Sequence, residues 1–474
     1  MAPINRLLKK WYHLLVVFVS LFLVQFPNLH APAKFLAEYV GLAALWLTVV
    51  STELDRKPFS LHGAYHALVL STLVAGSFVS RLVLRRFGIF SSPFFAPILL
   101  LGLLTDRRLT ISVAVFSSAL LIVSIEPSSF DFSLLLVCNI VTAVASSGLK
   151  KRLQIVRPAF FAVVCNVSFL LLGLFSKEKV FLDRNLLLSL LVPFLFSVVD
   201  LGLLPFVEYA SLIYSDIDLV ELGNMNHPLI KLLSLRAPGT YYHSAVVANL
   251  AEAAAEKIGA NPILARTAAY FHDIGKVKRP YFYTENIEDK NPHDELNPKL
   301  SHLIVLDHVK YGQELARRHR LPLLVQDVIP QHHGTRVQKY FYHKAKEMGD
   351  NLSEDEFRYI GPKPQFKEAG IIMLADSVEA AFRSVKNPTA SRIRSLVEEI
   401  VSGIYNEREL DESGLTLKDL EAVADEFAKV LLNMFKSRIE YPKEEIKKVI
   451  VLAESPNHKP NKVQSPDQEN SENS

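Results

Sequence analysis

The sequence predicts an all-α protein in two unlike halves: a polytopic transmembrane helical bundle followed by a cytoplasmic all-α domain. Charge is spread unevenly, with 18 of the 52 Lys/Arg and 9 of the 49 Asp/Glu in the first 206 of 474 residues. That stretch is about 13% charged and net +9, whereas the other 268 residues are about 28% charged and net −6. Up to Phe206, apolar runs of about 16 to 21 residues recur, the length a helix needs to cross roughly 30 Å of hydrocarbon. After Glu208 the pattern turns to charged amphipathic segments with Pro- and Gly-bearing connections and few alternating runs, which marks helices rather than strands.

Eight spans are expected, near 11–27, 34–51, 64–82, 88–104, 109–125, 131–147, 158–175 and 185–206. Arg6, Lys9 and Lys10 ahead of the first run look like the start of a signal peptide. No small-residue cleavage site follows and more spans do, so the run reads as an uncleaved anchor. With eight spans, the Lys/Arg of the loops at 56–57, 107–108 and 150–157 share the side of the N-terminus, which should be the cytoplasm. Arg81, Arg85 and Arg86 are the exception. Within the spans, Asn139 and Asn166 are read as bridging helices and Asp200 as lying near an interface, rather than as a ligand pocket. Cys138 and Cys165 both lie in apolar runs, so no disulfide framework is implied.

The expected boundaries are a transmembrane domain over 1–206, a linker helix over 207–236, a catalytic domain over 237–448 and a disordered tail over 455–474, rich in Ser, Asn, Pro, Glu and Lys. In the soluble half a helix should run from Pro238 to Gly259 and another from Asn261-Pro262 to before Gly275. Further helices are expected over 299–319, 322–332, 367–385, 389–405 and 416–438. This half has no basic excess with which to neutralise phosphates, so no nucleic-acid partner is expected.

Eleven of the 15 histidines lie at or after His227. A lone helical His is more often packed or exposed than a ligand. Here His243, His272-Asp273, His308, His332-His333 and Asp376 follow one another across about 134 positions, and the combination matters more than any member. Neutral imidazoles with carboxylates suit borderline divalent cations, and no thiolate is at hand. Seven candidates exceed one tetrahedral metal but suit two metals sharing an Asp. His227, His293, His302, His319 and His343 lack such company and are read as structural or exposed.

These motifs carry a resemblance. His272-Asp273-Ile274-Gly275-Lys276 is similar to the signature of the HD-domain metal-dependent phosphohydrolases. Asn226-His227-Pro228-Leu229, Ala237-Pro238-Gly239-Thr240-Tyr241-Tyr242-His243-Ser244, Lys278-Arg279-Pro280-Tyr281-Phe282, Gln331-His332-His333-Gly334-Thr335, Lys339-Tyr340-Phe341-Tyr342-His343 and Met373-Leu374-Ala375-Asp376-Ser377-Val378-Glu379-Ala380 resemble the membrane-anchored PgpH-type cyclic-di-AMP phosphodiesterases over roughly 185–440. The resemblance implies one metal on His243, His272, Asp273 and Asp376, and a second on Asp273, His308, His332 and His333, with Mn or Fe as the two ions. Asp273 and Lys276 would be catalytic, Lys276 adding positive charge on the leaving side or serving only as a support. Lys278, Arg279, Tyr281, Tyr340 and Tyr342 would either contact the dinucleotide or pack the rim. Such relatives carry a large extracellular domain after the first span, whereas here the connection is only about Pro27 to Lys34.

The implied function is hydrolysis of cyclic di-AMP to 5′-pApA by a multi-pass protein of the bacterial inner membrane, with a cyclic dinucleotide and membrane lipid as partners and a homodimer left open. The rivals are an HD hydrolase of cyclic di-GMP or guanosine tetraphosphate, or a non-catalytic membrane nucleotide receptor. Gly334 is followed by Thr335-Arg336-Val337 where a cyclic-di-GMP hydrolase of the related class has Gly-Tyr-Pro, and a receptor would be expected to have lost ligands. The basic-loop bias predicts that a periplasm-active reporter fused after Ser437 stays silent while a cytoplasmic one works; the reverse result would put the soluble half outside.

Overall fold

The chain is described here from a computed structural model covering residues 32–54, 62–125, 129–175, 182–287, 290–349, 353–385 and 389–436. The expected span 11–27 and tail 455–474 lie outside the described residues. Those described are helical with irregular connections, and their one piece of sheet pairing is an antiparallel bridge between Val337 and Arg358.

In the membrane half, α1 (Pro32–Leu45) continues through a π turn, Trp46–Val50, into a last turn, Ser51–Leu54. It is followed by α2 (His62–Phe87), α3 (Ala96–Leu104), α4 (Arg107–Ile125), α5 (Ser129–Ser146), α6 (Val156–Phe175) and α7 (Leu182–Ser211). Three segments, Gly63–Leu84, Arg152–Gly173 and Arg184–Ser211, are long and apolar enough to cross a membrane. Leu171 and Leu172 on α6 and Leu191, Leu195 and Val198 on α7 are exposed, an apolar surface that suits hydrocarbon better than water. Asn139 Nδ2 donates to Ser118 Oγ (2.9 Å), a buried polar bridge between α5 and α4.

The expected continuous span over 88–104 is corrected. Its helix is only Ala96–Leu104, about 13 Å long at 1.5 Å per residue. Pro93 cannot donate a helical hydrogen bond, while Pro97 fits the first turn, where its missing N–H costs nothing. The chain therefore reaches α3 through a 3-10 turn, Ile89–Ser91, and irregular backbone. Non-helical backbone at this depth must be buried in protein, and Phe94, Phe95, Ile98 and Leu99 are each at most 1% exposed.

The linker is likewise not one helix. After Leu212, which has a positive φ of 56°, come α8 (Asp216–Leu222) and α9 (Pro228–Arg236). The soluble half then supplies α10 (Pro238–Ile258), α11 (Pro262–Phe271), α12 (Pro298–Arg318), α13 (Leu323–Gln331), α14 (Lys339–Glu347), α15 (Lys367–Arg383), α16 (Ala390–Asn406) and α17 (Leu417–Lys436). Here α8 and α9 break up the single linker helix expected over 207–236, and α14, nine residues long, had no expected counterpart.

The linker grips the starts of two helices, and through one of them reaches a third. Leu212 O accepts from Leu323 N (3.0 Å) at the head of α13. Asn261, the N-cap of α11, accepts from Ile263 N (3.0 Å) and Leu264 N (3.1 Å) and donates through Nδ2 to Asp216 on α8 (2.8 Å). Its backbone N–H donates to Glu368 in the first turn of α15 (2.6 Å). One apolar cluster runs from Leu99 and Leu101 of α3 through Leu204, Ile213 and Ile217 to Leu323 and Leu324. Arg152, in the basic 150–152 loop, pairs with Glu221 of α8 (3.0 Å), so this loop lies at the same end of the bundle as the soluble half.

Asn261→Ala should cost about 1–2 kcal/mol, because two orphan N–H groups lose their cap. Asn261→Ser, which restores a capping oxygen, should recover most of it. Thermal unfolding of the purified chain reads both; equal melting temperatures for wild type and Asn261→Ala would discount the cap.

Candidate metal centre

The seven His and Asp positions arrive on separate elements. His243 stands on the buried face of α10. His272 closes α11 and Asp273 opens the 3-10 segment Ile274–Lys278. His308 projects from the middle of α12, His332 and His333 follow the end of α13, and Asp376 sits midway along α15. The fold brings all seven together. Asp273 Oδ2 lies 3.2 Å from His272 Nε2 and 3.6 Å from His243 Nε2, while its Oδ1 lies 3.4 Å from His308 Nε2 and 3.6 Å from His332 Nε2. Asp376 Oδ1 is 3.1 Å from His243 Nε2, and its Oδ2 is 3.7 Å from His333 Nδ1, so this carboxylate reaches both ends of the cluster.

The approach of α12 to the His-Asp turn depends on Gly275. A Cβ there would stand 1.9 Å from His308 O and 2.7 Å from Gly312 N, both backbone atoms that cannot step aside. Gly334, after the paired histidines, has φ +56°, the left-handed region that favours glycine, and a Cβ there would meet Glu409 Oε2 at 2.3 Å.

Ring orientation follows from local hydrogen bonds. His272, His308 and His332 each donate Nδ1–H to the carbonyl three residues back, Ala269 O (2.6 Å), Val305 O (2.5 Å) and Ile329 O (2.7 Å). A carbonyl only accepts, so the proton is on Nδ1 and the Nε2 lone pair faces inward. The Nε2 atoms of His243, His272, His308 and His332 and Oδ1 of Asp273 are buried with no hydrogen-bond partner. Such orphaned acceptors aimed at one point are costly in a protein interior, and a cation among them removes the cost. The donor set fits divalent metal.

The electrostatics agree. Burial pulls His308 down to about 4, and burial with the neighbouring His332 holds His333 well below its ordinary value, so both present neutral nitrogens. Burial opposes ionisation of Asp273, but Lys276 and His272 hold its carboxyl well below the usual range. Burial also opposes charge on His243, yet Asp376 and Glu379 hold it up to about 10; this corner of the site draws positive charge. Lys276 Nζ sits between Asp273 (2.7 Å) and Glu285 (2.8 Å) and 5.0 Å from the centre of the Tyr283 ring. Burial would discharge this ammonium, but the two carboxylates raise it well above its ordinary value, and Lys276 in turn holds the buried Glu285 down at about 2.

Two sequence profiles match the chain. Residues 35–215 match the seven-transmembrane receptors with an intracellular HD hydrolase, and residues 240–381, which hold the whole cluster, match the HD domain. The chain thus carries both domains that define the membrane-bound HD proteins, the membrane domain ahead of the HD domain. It is 46% identical over 292 residues to the cyclic-di-AMP phosphodiesterase PgpH of Bacillus subtilis, which is 61% of this chain and 41% of that protein. To PgpH of Listeria monocytogenes it is 36% identical over 354 residues, 73% of this chain and 49% of that one. It thus spans about half the length or less of these relatives. A crystal structure of the Listeria PgpH HD domain in complex with cyclic di-AMP is 44% identical, with a TM-score of 0.44, over 44% of this chain and 99% of that one.

A cavity of about 460 Å³ opens onto the cluster, in the size range of small-molecule sites. His243, His308, His333 and Asp376 form its floor, and Phe282, Tyr283, Tyr340, Phe341 and Tyr359 are among its walls. Of the five residues expected to meet the substrate, only Tyr340 lines it. Lys278 turns away to pair with Asp307 (2.9 Å), and Tyr342 packs on Phe357. Arg279 and Tyr281 are exposed on turns outside it. The 3-10 turns after Asp273 carry Lys278, Arg279 and Tyr281 off the cavity, and Tyr342 stands on α14 with its ring against Phe357. His293 and His302 are buried, and His293 Nε2 donates to Phe282 O (2.8 Å) in the cavity wall.

Glu379, which lies within the motif around Asp376 but was given no role, and Arg383, which was not singled out, stand at helical spacing i+3 and i+7 from Asp376 and so on the same face of α15, a signal that was available. Tyr359, stacked on His333 at 4.1 Å, comes from a loop and left no such signal. Gly275→Ala should drive α12 away from Asp273 and destabilise the chain by about 1–3 kcal/mol, as overpacking does. A melting temperature within a degree of wild type would mean that the approach is softer than the geometry states.

Proposed function

We propose that the chain is a metal-dependent phosphodiesterase that opens cyclic di-AMP to 5′-pApA at the cytoplasmic face of the bacterial cell membrane. The observation that carries the reading is the convergence of seven His and Asp side chains, five of them with a buried, unpartnered acceptor atom, beside an aromatic-walled cavity. His243, His272, Asp273 and Asp376 hold one cation and Asp273, His308, His332 and His333 the other, with Asp273 shared. Two divalent ions there, Mn or Fe, supply the positive charge that activates water and stabilises phosphoryl oxygens.

The chain's own residues do the rest. Lys276 keeps its proton at Nζ, because Asp273 and Glu285 flank it, and so adds fixed charge beside the phosphate instead of acting as a base. Arg383 brings a second cation to the cavity, while Tyr283, Tyr340 and Tyr359 offer ring faces to bases. These groups suit a compact dinucleotide with two phosphates. The choice of adenine rests on the likeness to the PgpH proteins and on Thr335 standing where Gly-Tyr-Pro would begin.

With manganese, the purified chain should convert cyclic di-AMP to pApA faster than it opens cyclic di-GMP. His272→Ala should lose metal and activity together, Asp376→Ala should lose activity, and His319→Ala, exposed at the end of α12, should keep both. Product chromatography and metal analysis read these outcomes. Preference for cyclic di-GMP or guanosine tetraphosphate would refute the substrate and leave the metal centre standing.

A further inference from the structure

We infer that the two metal positions are unequal in affinity and that Glu379 makes them so. The inference rests on the two-cation reading above. It starts from a difference among the imidazoles. His272, His308 and His332 are each held by a neutral carbonyl of their own helical turn. His243 has its Nδ1 against a carboxylate instead, Glu379 Oε2, 136 residues away in the chain and 8% exposed. Arg383 Nη2 holds the same Glu379 oxygen at 3.1 Å.

A carbonyl fixes a ring's tautomer and orientation. A carboxylate does this and also pushes electron density toward the far nitrogen, making it a stronger donor to a metal. The position bounded by His243, His272, Asp273 and Asp376 therefore has two carboxylates at the metal and a third behind one imidazole. The position bounded by Asp273, His308, His332 and His333 has three imidazoles without such backing and a full share only of Asp273. Asp376 Oδ2, 3.7 Å from His333 Nδ1, approaches it from one side. A divalent cation gains more at the first position, so it fills first. Asp376, Glu379 and Arg383 occupy one face of α15, so a single helix sets both the metal carboxylate and the support behind His243. Glu379 is accordingly a positioning residue that acts through His243.

The test titrates Mn²⁺ calorimetrically into the full chain, stripped with chelator and held in detergent. Wild type should show two steps, the first at least tenfold tighter. Glu379→Gln keeps the size and an acceptor oxygen but loses the charge; it should weaken the tight step 10- to 100-fold and leave the weak step within twofold. His308→Ala should delete the weak step and spare the tight one. Turnover by Glu379→Gln should fall when Mn²⁺ is scarce and recover when it is in excess, which a packing defect would not do. The weak step also reports folding: if Glu379→Gln loses both steps, Glu379→Asp, which withdraws the carboxylate from the ring, must show the selective loss. Two steps in wild type with Glu379→Gln unchanged, or with the weak step lost instead, would overturn the inference. Absence of any bound Mn²⁺ in wild type would take down the metal-centre reading beneath it.

Discussion

Asp273 carries an ionised carboxylate in the middle of the soluble half, with its side chain 1% exposed. Removing such a charge from water costs several kcal/mol unless groups of opposite sign surround it. Lys276 answers one oxygen directly, and four imidazoles crowd both. Much of the domain follows from that requirement. Four helices must deliver histidines to within about 4 Å of one carboxylate, so their packing distances are set tightly, and Gly275 appears where two backbones have to pass. Because the three imidazoles on α11, α12 and α13 spend their Nδ1 protons on carbonyls of their own helices, what they turn toward Asp273 is a set of lone pairs, and the cluster is built to hold positive charge.

The same elements tie the site to the membrane half. The heads of α11 and α13 lie on the linker after α7, that of α15 is bonded to the cap of α11, and the His-Asp turn, the paired histidines and Asp376 lie further along these three helices, roughly 15 Å away for a ten-residue helix. Helices of this length are rigid, so the linker and the metal cluster share struts. The apolar cluster running from α3 through Ile213 and Ile217 to Leu323 makes the junction continuous with the membrane core rather than a loose tether. The membrane half itself shows a corresponding economy: where Pro93 stops helix formation, the backbone is buried among phenylalanines instead of facing lipid.

The cavity gives the metal centre its chemical context. Charge is concentrated at its floor, where Lys276 joins Asp273 to Glu285 and Asp376 stands against His243, while its walls are largely aromatic. Arg383 spans the two, bonded to Glu379 behind His243 and facing the space a ligand would enter.

Much was legible in the sequence. Helix positions in the soluble half followed from hydrophobic period, caps and prolines, because these act within a few residues, and most were placed to within two residues. That seven positions belong together was legible as well, since residue type and local motif singled out His243, His272, Asp273, His308, His332, His333 and Asp376, and the fold brings them to one place. What only the tertiary structure decided was direction. Lys278, Arg279, Tyr281 and Tyr342 are near ligand candidates in the chain yet point elsewhere, because the turns that carry the first three and the helix face that carries the last, not sequence distance, orient the side chains. Glu379 becomes meaningful only when α15 packs against α10, and Tyr359 only when its loop folds over His333. Segment 88–104 was apolar enough for a span, but hydropathy records the environment of a residue and not whether its backbone can be helical. Contacts made within one turn are written locally; those made between turns exist only once the chain has closed on itself.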